Sequence, residues 1–304
     1  MIGFALHYLG DQAEAKRHIE RMVAGYMVPI SRSPAVRFQA DQRVTARVCL
    51  ARVQWLLGFS DVALRSAELS VDDALSINHS RSLWNALAGA ACPLALLVGD
   101  LSSAERYINM LLAETVRDAL DIWHAHGIRC EGELLVKRGD LRAGLPLLRA
   151  GTDQLRQSGD GPHLVAALCA LAEAEAKTGE LAAGLTAVDD GILRSDRNGG
   201  HWCSAELFRV KGEILLQIST ANAAAEAERY FLRSLELAQQ QHALAWELRA
   251  ATSLAHLRLR QGRGAEAKQS LKPVYDRFIE GFETADVRAA CALLDQLSDQ
   301  PSLR

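Results

Sequence analysis

The sequence predicts an all-α fold, a right-handed solenoid of about seven antiparallel helix pairs that ends in a C-terminal capping helix. Three observations lead to this prediction: the composition, a recurring turn glycine, and small residues at fixed distances on both sides of that glycine. Apolar residues make up 49% of the 304-residue chain, only seven prolines occur, and Ala and Leu far outnumber Val, Ile and Thr. That composition favours helix over strand.

Turn-like glycines mark the repeat. The steps from Gly58 through Gly99 and Gly139 to Gly179 are 41, 40 and 40 residues, and the step from Gly179 to Gly262 is 83. The longer step leaves room for one more unit with a longer turn. A glycine can adopt the left-handed conformation that ends a helix. The aspartate that follows in some units can cap the next helix; these are Asp11, after Gly10, and Asp100 and Asp140.

Each turn glycine is flanked by small residues at constant distances. Five residues after the turn glycine the sequence has Ala15, Ala63, Ala104, Gly144, Gly184 and Ala267, and seven before it Gly3, Ala51, Cys92, Gly132, Ala172 and Ala255. In the unit with the longer turn, Ala227 and Gly212 take the same two roles. Small residues on both sides of a turn let two antiparallel helices cross closely. This is the arrangement of the tetratricopeptide helix pair, lengthened from about 34 residues to about 40.

The repeat divides the chain into seven units, because a single helix pair cannot bury its apolar face alone and must stack. The predicted units are 1–25, which is truncated, 38–78, 79–117, 118–158, 162–198, 201–241 and 243–280. We assign residues 1–283 to the repeats and 284–304 to a capping helix, over 284–297, and a tail. The segment 27–38 reads as a loop, and Pro93 and Pro146 predict local bends within helices.

Composition also limits the function. The net charge of −3 argues against direct nucleic-acid binding, which needs a basic surplus. No apolar run approaches the roughly 20 residues of a membrane span, so we expect no membrane association. The chain starts without a secretory signal and its six cysteines form no CxxC motif. These features predict reduced thiols and a cytoplasmic location.

No catalytic, nucleotide-binding or metal-binding motif occurs, so we expect no enzyme activity, no cofactor and no metal. His126 and Cys130 share a helix face at i,i+4, but two further metal ligands are not evident, and packing is the favoured role. An enzyme that uses Glu173 or His256 as acid or base is the least favoured hypothesis.

Charged side chains recur on the first helix of successive units, the helix that usually lines the concave surface of such solenoids. The candidate groove residues are Arg52, His126, Arg129, Glu133, Glu173, Arg209, Glu213, Arg249 and His256. One interpretation is a charged groove that binds a protein, a peptide or a small effector. The other is that Arg129–Glu133 and Arg209–Glu213 are i,i+4 pairs on the helix surface. The sequence does not decide between them.

Two other patterns have structural explanations that we favour. Trp84, Trp123, Trp202 and Trp246 recur early in first helices, which indicates packing between units. Arg32, Arg37, Arg43, Arg47 and Arg52 cluster in sequence against a single aspartate. A solvated basic face is preferred there over a docking site for a phosphate or an acidic domain.

Several stretches resemble the C-terminal repeat region of bacterial multidomain regulators. They are "RFQADQRVTARVCLARVQWLLGFSDVAL", "HWCSAELFRVKGEILL", "AWELRAATSLAHLRLRQGR" and "LKPVYDRFIEGFETADVRAACALLDQL". Those regulators join a winged-helix or adenylate-cyclase domain to a STAND-type P-loop ATPase and then to tetratricopeptide-like repeats. The resemblance implies a sensor or interaction module that serves an ATPase or DNA-binding domain, N-terminal to it or in trans. The winged helix, cyclase and P-loop are absent from this sequence, so their activities are assigned to no residue here.

The sequence therefore predicts a non-catalytic, protein- or effector-binding repeat module of an ATPase-linked transcription or signalling regulator. The alternative is a free-standing scaffold that dimerises, or clamps a partner, through its open first repeat. Exposed apolar surface at an uncapped solenoid end would provide the contact.

Overall fold

The computed structural model describes residues 2–25, 40–116, 122–159, 161–218 and 220–298. Over these ranges the chain forms helices and no strand. The helices are α1 Ile2–Leu9, α2 Gln12–Ala24, α3 Gln42–Leu56, α4 Ser60–Ser76, α5 Ser80–Ala86, α6 Cys92–Val98, α7 Leu101–Thr115, α8 Ile122–Lys137, α9 Leu141–Ser158, α10 Gly161–Lys177, α11 Leu181–Asn198, α12 Ser204–Gln217, α13 Ala223–Gln240, α14 Leu244–Arg260, α15 Gly264–Tyr275 and α16 Ala285–Ser298.

The helices pair and stack in chain order, which confirms the predicted all-α solenoid. The pairs are α1–α2, α3–α4, α5 and α6 with α7, α8–α9, α10–α11, α12–α13 and α14–α15. Helix α16 covers the last pair with five buried residues, Val287, Ala290, Leu293, Leu294 and Leu297. The loop expected at 27–38 and the first residues of the unit expected at 118–158 lie outside the described residues.

The two helices of a pair cross where the sequence has small residues. A Cβ atom added to Gly132 would lie 2.4 Å from the backbone nitrogen of Leu148 and 2.7 Å from the carbonyl oxygen of Gly144. The reciprocal Cβ on Gly144 would lie 2.7 Å from the carbonyl oxygen of Gly132. In the last pair, Ala255 and Ala267 are both fully buried. The backbones of α8 and α9 are therefore in contact, as the spacing predicts.

The irregularity expected at Pro93 takes the form of a π-helical turn. Residues Leu87–Ala91 lie between α5 and α6, and the Cys92 N–H donates to the carbonyl of Leu87, five residues earlier. A proline has no N–H to give to the preceding turn. The wider turn carries the helix past that missing donor. By contrast, Pro146 lies inside α9, which the structure assigns as helical from Leu141 to Ser158.

The sequence does contain one stretch that approaches a membrane span in length and composition. Residues Ser80–Val98 form a 19-residue helical stretch that is long and apolar enough to cross a bilayer. Its most apolar window is 78% buried inside the protein. The sequence reading missed it because Arg81 and Pro93 interrupt the run. Core packing of the third unit accounts for the apolar character of this stretch.

The solenoid closes on itself. The turn glycines of the first three units lie against residues near the end of the chain. A Cβ atom added to Gly10 would lie 2.6 Å from Gln241, one on Gly58 2.7 Å from Leu244, and one on Gly99 2.8 Å from Ala285. The turn glycines of later units, Gly139, Gly179 and Gly262, have nothing within 4 Å of such an atom. The first three turns thus dock against the sixth unit, the seventh unit and the capping helix.

Side chains complete this closure. The rings of Trp55 and Trp246 meet edge to face, with centroids 4.6 Å apart and planes at 82°. The Glu280 carboxylate accepts hydrogen bonds from the backbone N–H groups of Asp61 and Val62, at 2.8 and 3.0 Å. These N–H groups open helix α4, whose N-cap residue Phe59 makes no side-chain capping bond. A carboxylate 219 residues away in sequence thus caps the helix.

Two glycine substitutions distinguish the stability lost at the ring closure from the stability lost through backbone strain in the turn. Gly99→Ala and Gly139→Ala each place a side chain on a left-handed residue, with φ 85° and 91°. Each should lose about 1–2 kcal/mol for that reason. Only the Gly99→Ala methyl meets the other end of the chain, at Ala285. We therefore expect Gly99→Ala to lose about 1–3 kcal/mol more than Gly139→Ala in urea unfolding. Equal losses would contradict the closed ring.

Candidate functional site

Two adjoining pockets lie on the inner face of the closed ring, and we call them the inner and outer lobes of one cavity because they share lining residues. The inner lobe measures about 50 Å³ and the outer lobe about 90 Å³. Both are lined by Pro93, Leu97, Arg129, Ala166 and Trp202. The lining residues belong to first helices of the second to seventh units and to the short 3-10 turn His201–Cys203. The surface predicted to be concave is therefore the wall of this cavity.

Arg52 belongs to the inner lobe, and its guanidinium stacks on aromatic rings. The residue is 9% exposed, and its Cζ lies 4.4 Å from the centroid of the Trp202 ring. Its Nη1 is 3.4 Å from the hydroxyl of Tyr8 and 3.4 Å from Nε2 of His163. Among the described residues, no Asp or Glu forms an ion pair with it. The charge is held by cation–π contact and long hydrogen bonds.

Arg129 lies between the two lobes and is paired. Its Nη1 donates to Oε2 of Glu133 at 2.9 Å, and its Nη2 donates to Sγ of Cys130 at 2.9 Å. Lys137 lies 4.0 Å from the other oxygen of Glu133. The i,i+4 pair predicted from the sequence is therefore present at Arg129 and Glu133.

The outer lobe carries a network that ties three units and the capping helix together. Glu206 is 4% exposed and accepts from Nε and Nη2 of Arg209, at 2.8 and 2.7 Å, and from Nη1 of Arg249, at 2.6 Å. Arg249 also donates to Asp286 at 2.8 Å, and Arg209 reaches Glu173 at 3.4 Å. Positive and negative groups alternate along this network.

The ion pair expected between Arg209 and Glu213 is present, but Glu206 is a closer partner of Arg209. Glu213, at i+4, lies 3.9 Å from Arg209, whereas Glu206, at i−3, makes two short bonds to it. The side chain of Glu213 is 39% exposed. His256 is half-buried, and burial lowers its pKa. Neither Glu213 nor His256 lines a lobe of the cavity.

The network fixes the charge state of its acids. Burial of Glu206 opposes ionisation, but Arg209 and Arg249 outweigh that effect and hold its pKa below the ordinary value. Burial also favours a higher pKa at Glu173, but the charges of Arg209 and Lys177 outweigh it and lower the pKa of Glu173 below the ordinary value. Both carboxyls are ionised at neutral pH, so Glu173 is a poor proton donor there.

The metal hypothesis gains no support. His126 packs edge-on against His163, with ring centroids 5.0 Å apart, while Cys130 contacts Arg129. The other histidine of that stretch, His124, lies 3.1 Å from the hydroxyl of Thr115. Within the described part of the chain, no three His, Cys, Asp or Glu side chains are grouped as metal ligands would be.

The arginines grouped in sequence at 32–52 go to different places. Arg43 and Arg47 both pair with Asp73, at 2.8 and 2.7 Å. Arg52 enters the cavity. Arg32 and Arg37 lie outside the described residues. The three described arginines therefore do not form one basic face.

Sequence reasoning missed Trp55, Glu206 and His163, and it favoured packing as the role of Trp202. Trp246 donates its indole N–H to the carbonyl of Trp202 at 3.0 Å, so packing between units is real there. Trp202 also lines both lobes. The signal for Glu206 was its place three residues before Arg209. His163 and Trp55 had no periodic signal.

No protein-family model and no curated protein sequence matches the chain. Among solved structures, it is similar to a STAND signal-transduction ATPase with a tetratricopeptide-repeat sensor from Pyrococcus horikoshii, with 11% identity and a TM-score of 0.49 over 94% of this chain and 44% of that one. It is also similar to yeast Tom70, with 13% identity and a TM-score of 0.47 over 94% and 58%. A third is the TPR domain of P58(IPK), with 15% identity and a TM-score of 0.23 over 98% of both chains. This chain spans less than half of the first protein.

Glu206→Gln tests the charge network. Because Arg209 and Arg249 would lose their shared counter-ion, we expect about 3–5 kcal/mol less stability at pH 7 in urea unfolding. Glu206 has a depressed pKa in the folded state, so its contribution is present above about pH 4.5 and falls as the pH drops through the folded value. Glu206→Gln should therefore lose less stability than wild type on acidification.

The matched control is Glu105→Gln, since Glu105 pairs with Arg138 on the surface, where the two side chains are 48% and 37% exposed. Exposed pairs contribute little, so its stability should stay close to that of wild type. A similar loss in both variants would show that the Glu206 network has no special role.

Proposed function

We propose that this chain is a non-catalytic binding module whose ligand, a small effector, occupies the interior of the closed solenoid. The observation that carries the proposal is the cavity lined by first helices of successive units, with charged and aromatic side chains on its wall. Concave, largely apolar sites with a few placed polar groups are typical of ligand pockets. Helical-repeat folds of this kind serve as interaction modules.

The closed geometry favours a small effector over an extended peptide. Trp55 and Trp246 are in ring contact across the surface that a peptide would have to follow. The lobes measure only about 50 and 90 Å³, which is too little for an extended peptide. A peptide would therefore have to separate the two ends of the chain. We assign to this effector site the candidate groove residues that line the cavity or support its wall: Arg52, His126, Arg129, Glu133, Glu173, Arg209 and Arg249.

In the same proposal the module is the sensor part of a bacterial ATPase-linked transcription or signalling regulator that works in the cytoplasm. Its support is the resemblance of the stretches quoted above, above all those at 245–263 and 271–297. Effector binding would control an ATPase and an output domain attached N-terminally or acting in trans. The DNA contacts of such a regulator would belong to that output domain.

A cavity-filling variant tests the interior site. Ala166 lines both lobes, so Ala166→Phe should fill the cavity and abolish the thermal stabilisation that an interior ligand produces. Ala182 is exposed on α11, and Ala182→Phe is the matched control. In a thermal-shift screen of metabolites, hits should be lost in Ala166→Phe and kept in Ala182→Phe. Hits retained by a folded Ala166→Phe protein would contradict the proposal.

The genomic sequence around the coding region tests the link to an ATPase. We expect a P-loop ATPase and an output domain to be encoded upstream, in the same frame or in a neighbouring gene. Sequencing that region checks this directly. If neither is encoded there, the regulator part of the proposal loses its main support while the binding site is unaffected.

A second candidate function has an observation of its own. Ile2, Phe4 and Met22 line a groove on the first helix pair, and Ile2 is 64% exposed. The opposite side of α1 is covered, because His7 packs 5.5 Å from Trp202. A scaffold that dimerises through this groove would show a concentration-dependent mass by light scattering, abolished by Ile2→Asp. A constant monomer mass would exclude it.

A further inference from the structure

The inner lobe of the cavity contains one arginine, Arg52, that forms no ion pair with any Asp or Glu in the described part of the chain. The other interior arginines each have a carboxylate oxygen within 2.9 Å: Glu133 for Arg129, and Glu206 for both Arg209 and Arg249. Arg52 has none among the described residues and is 9% exposed. Buried charges in proteins are normally paired.

We propose that the inner lobe binds a small organic monocarboxylate, with Arg52 as its counter-ion. The proposal rests on the interior effector site proposed above and names the chemical class of that effector. It is more specific than the proposed effector site, because it requires the ligand to place a negative charge beside Arg52.

The hydrogen-bonding capacity of this wall fits a carboxylate. Arg52 makes its two long bonds through Nη1 alone, so its Nε and Nη2 donate to no described residue. Trp202, stacked beneath it, has an indole N–H with no acceptor in the described structure. That indole nitrogen is covered by the protein, so the donors open to a ligand are those of the Arg52 guanidinium. A carboxylate accepts two parallel bonds from the edge of a guanidinium.

Charge balance favours a monoanion. The charge of Arg129, the other arginine of the inner lobe, is matched by Glu133. Arg52 therefore contributes one positive charge with no ion-pair partner among the described residues. Inorganic phosphate, with up to two negative charges at neutral pH, would exceed it. The remaining wall is mainly apolar, with Trp55, Leu94 and Leu97, and its two other polar side chains, His126 and His163, pack edge to face against each other. That wall suits an apolar body attached to the carboxylate.

Volume sets the size of that body. The inner lobe of about 50 Å³ has room for only a few non-hydrogen atoms beyond the carboxylate. The outer lobe offers a path to it, because Lys137 and Glu173 on its wall are 24% and 41% exposed in their side chains. Propionate fits the inner lobe, and the branched bodies of isobutyrate and isovalerate would extend into the outer lobe.

The test uses isothermal titration and tryptophan fluorescence on the whole chain. The probes are propionate, isovalerate, isobutyrate, the corresponding neutral amides and inorganic phosphate. The variants are Arg52→Met, which keeps an apolar stem, Arg52→Lys, which keeps the charge without the two-pronged edge, and Arg65→Met. Arg65 is exposed on α4 and controls for the loss of one positive charge. Circular dichroism melts confirm that each variant is folded.

We expect at least one of the carboxylates to bind wild type and Arg65→Met at millimolar or lower concentration and to change the tryptophan fluorescence, since Trp55 and Trp202 line the inner lobe. Arg52→Met should weaken that binding by about 10- to 100-fold, with Arg52→Lys intermediate. The amides should bind wild type more weakly than the acids.

Three results would overturn the proposal: no carboxylate binds wild type, the amides bind as tightly as the acids, or folded Arg52→Met binds the acids as well as wild type. Stronger binding of phosphate than of every carboxylate would also overturn it. This outcome can be told apart from failure of the interior effector site. If a neutral metabolite binds Arg52→Met but not Ala166→Phe, the interior site stands and the proposal that its ligand is a carboxylate is wrong.

Discussion

The close crossing of two helices at positions without a bulky side chain is the constraint on which the rest of the structure depends. Where α8 and α9 cross, a Cβ on Gly132 or on Gly144 would come within 2.7 Å of the opposite carbonyl oxygen. The same device recurs where the ends of the chain meet, since Gly58 and Gly99 leave no room for a Cβ beside Leu244 and Ala285. Small residues thus set the distance between the two helices of a pair, and they also allow the contacts that close the ring.

The pairing within units could be predicted from sequence because the crossing repeats about every 40 residues and leaves a periodic record. The closure could not be predicted. Gly99 and Gly139 look alike in sequence, each ending a helix and preceding an aspartate that caps the next one. Only Gly99 touches another part of the chain. Which turns meet depends on how the rotation from unit to unit accumulates, and that rotation leaves no motif at either contact.

Among the charged side chains, too, the sequence predicts one ion pair correctly and does not predict another. Arg129 has His126 at i−3 and Glu133 at i+4, so the sequence offers only one acidic partner, and the pair forms. Arg209 has acids at both positions. Helical side chains point back toward the N-terminus, which brings the Arg209 guanidinium to Glu206 and leaves Glu213 at 3.9 Å. Spacing alone treats the two partners as equal, and the direction of the side chain decides between them.

The wall of the cavity is built from both ends of the chain, and this bears on how a ligand would be sensed. Arg52 and Trp55 come from the second unit, whereas Trp202 and Trp246 come from the sixth and seventh. A ligand held between them has to bind the closed ring better than any opened form, because opening separates its contacts. By linkage, occupancy then stabilises the contact of the Glu280 carboxylate with the start of α4. In the proposed regulator, binding would therefore be reported as a fixed relative position of the two ends of the solenoid. A ligand bound to one unit alone could not produce that signal, since it would have equal affinity for closed and open rings.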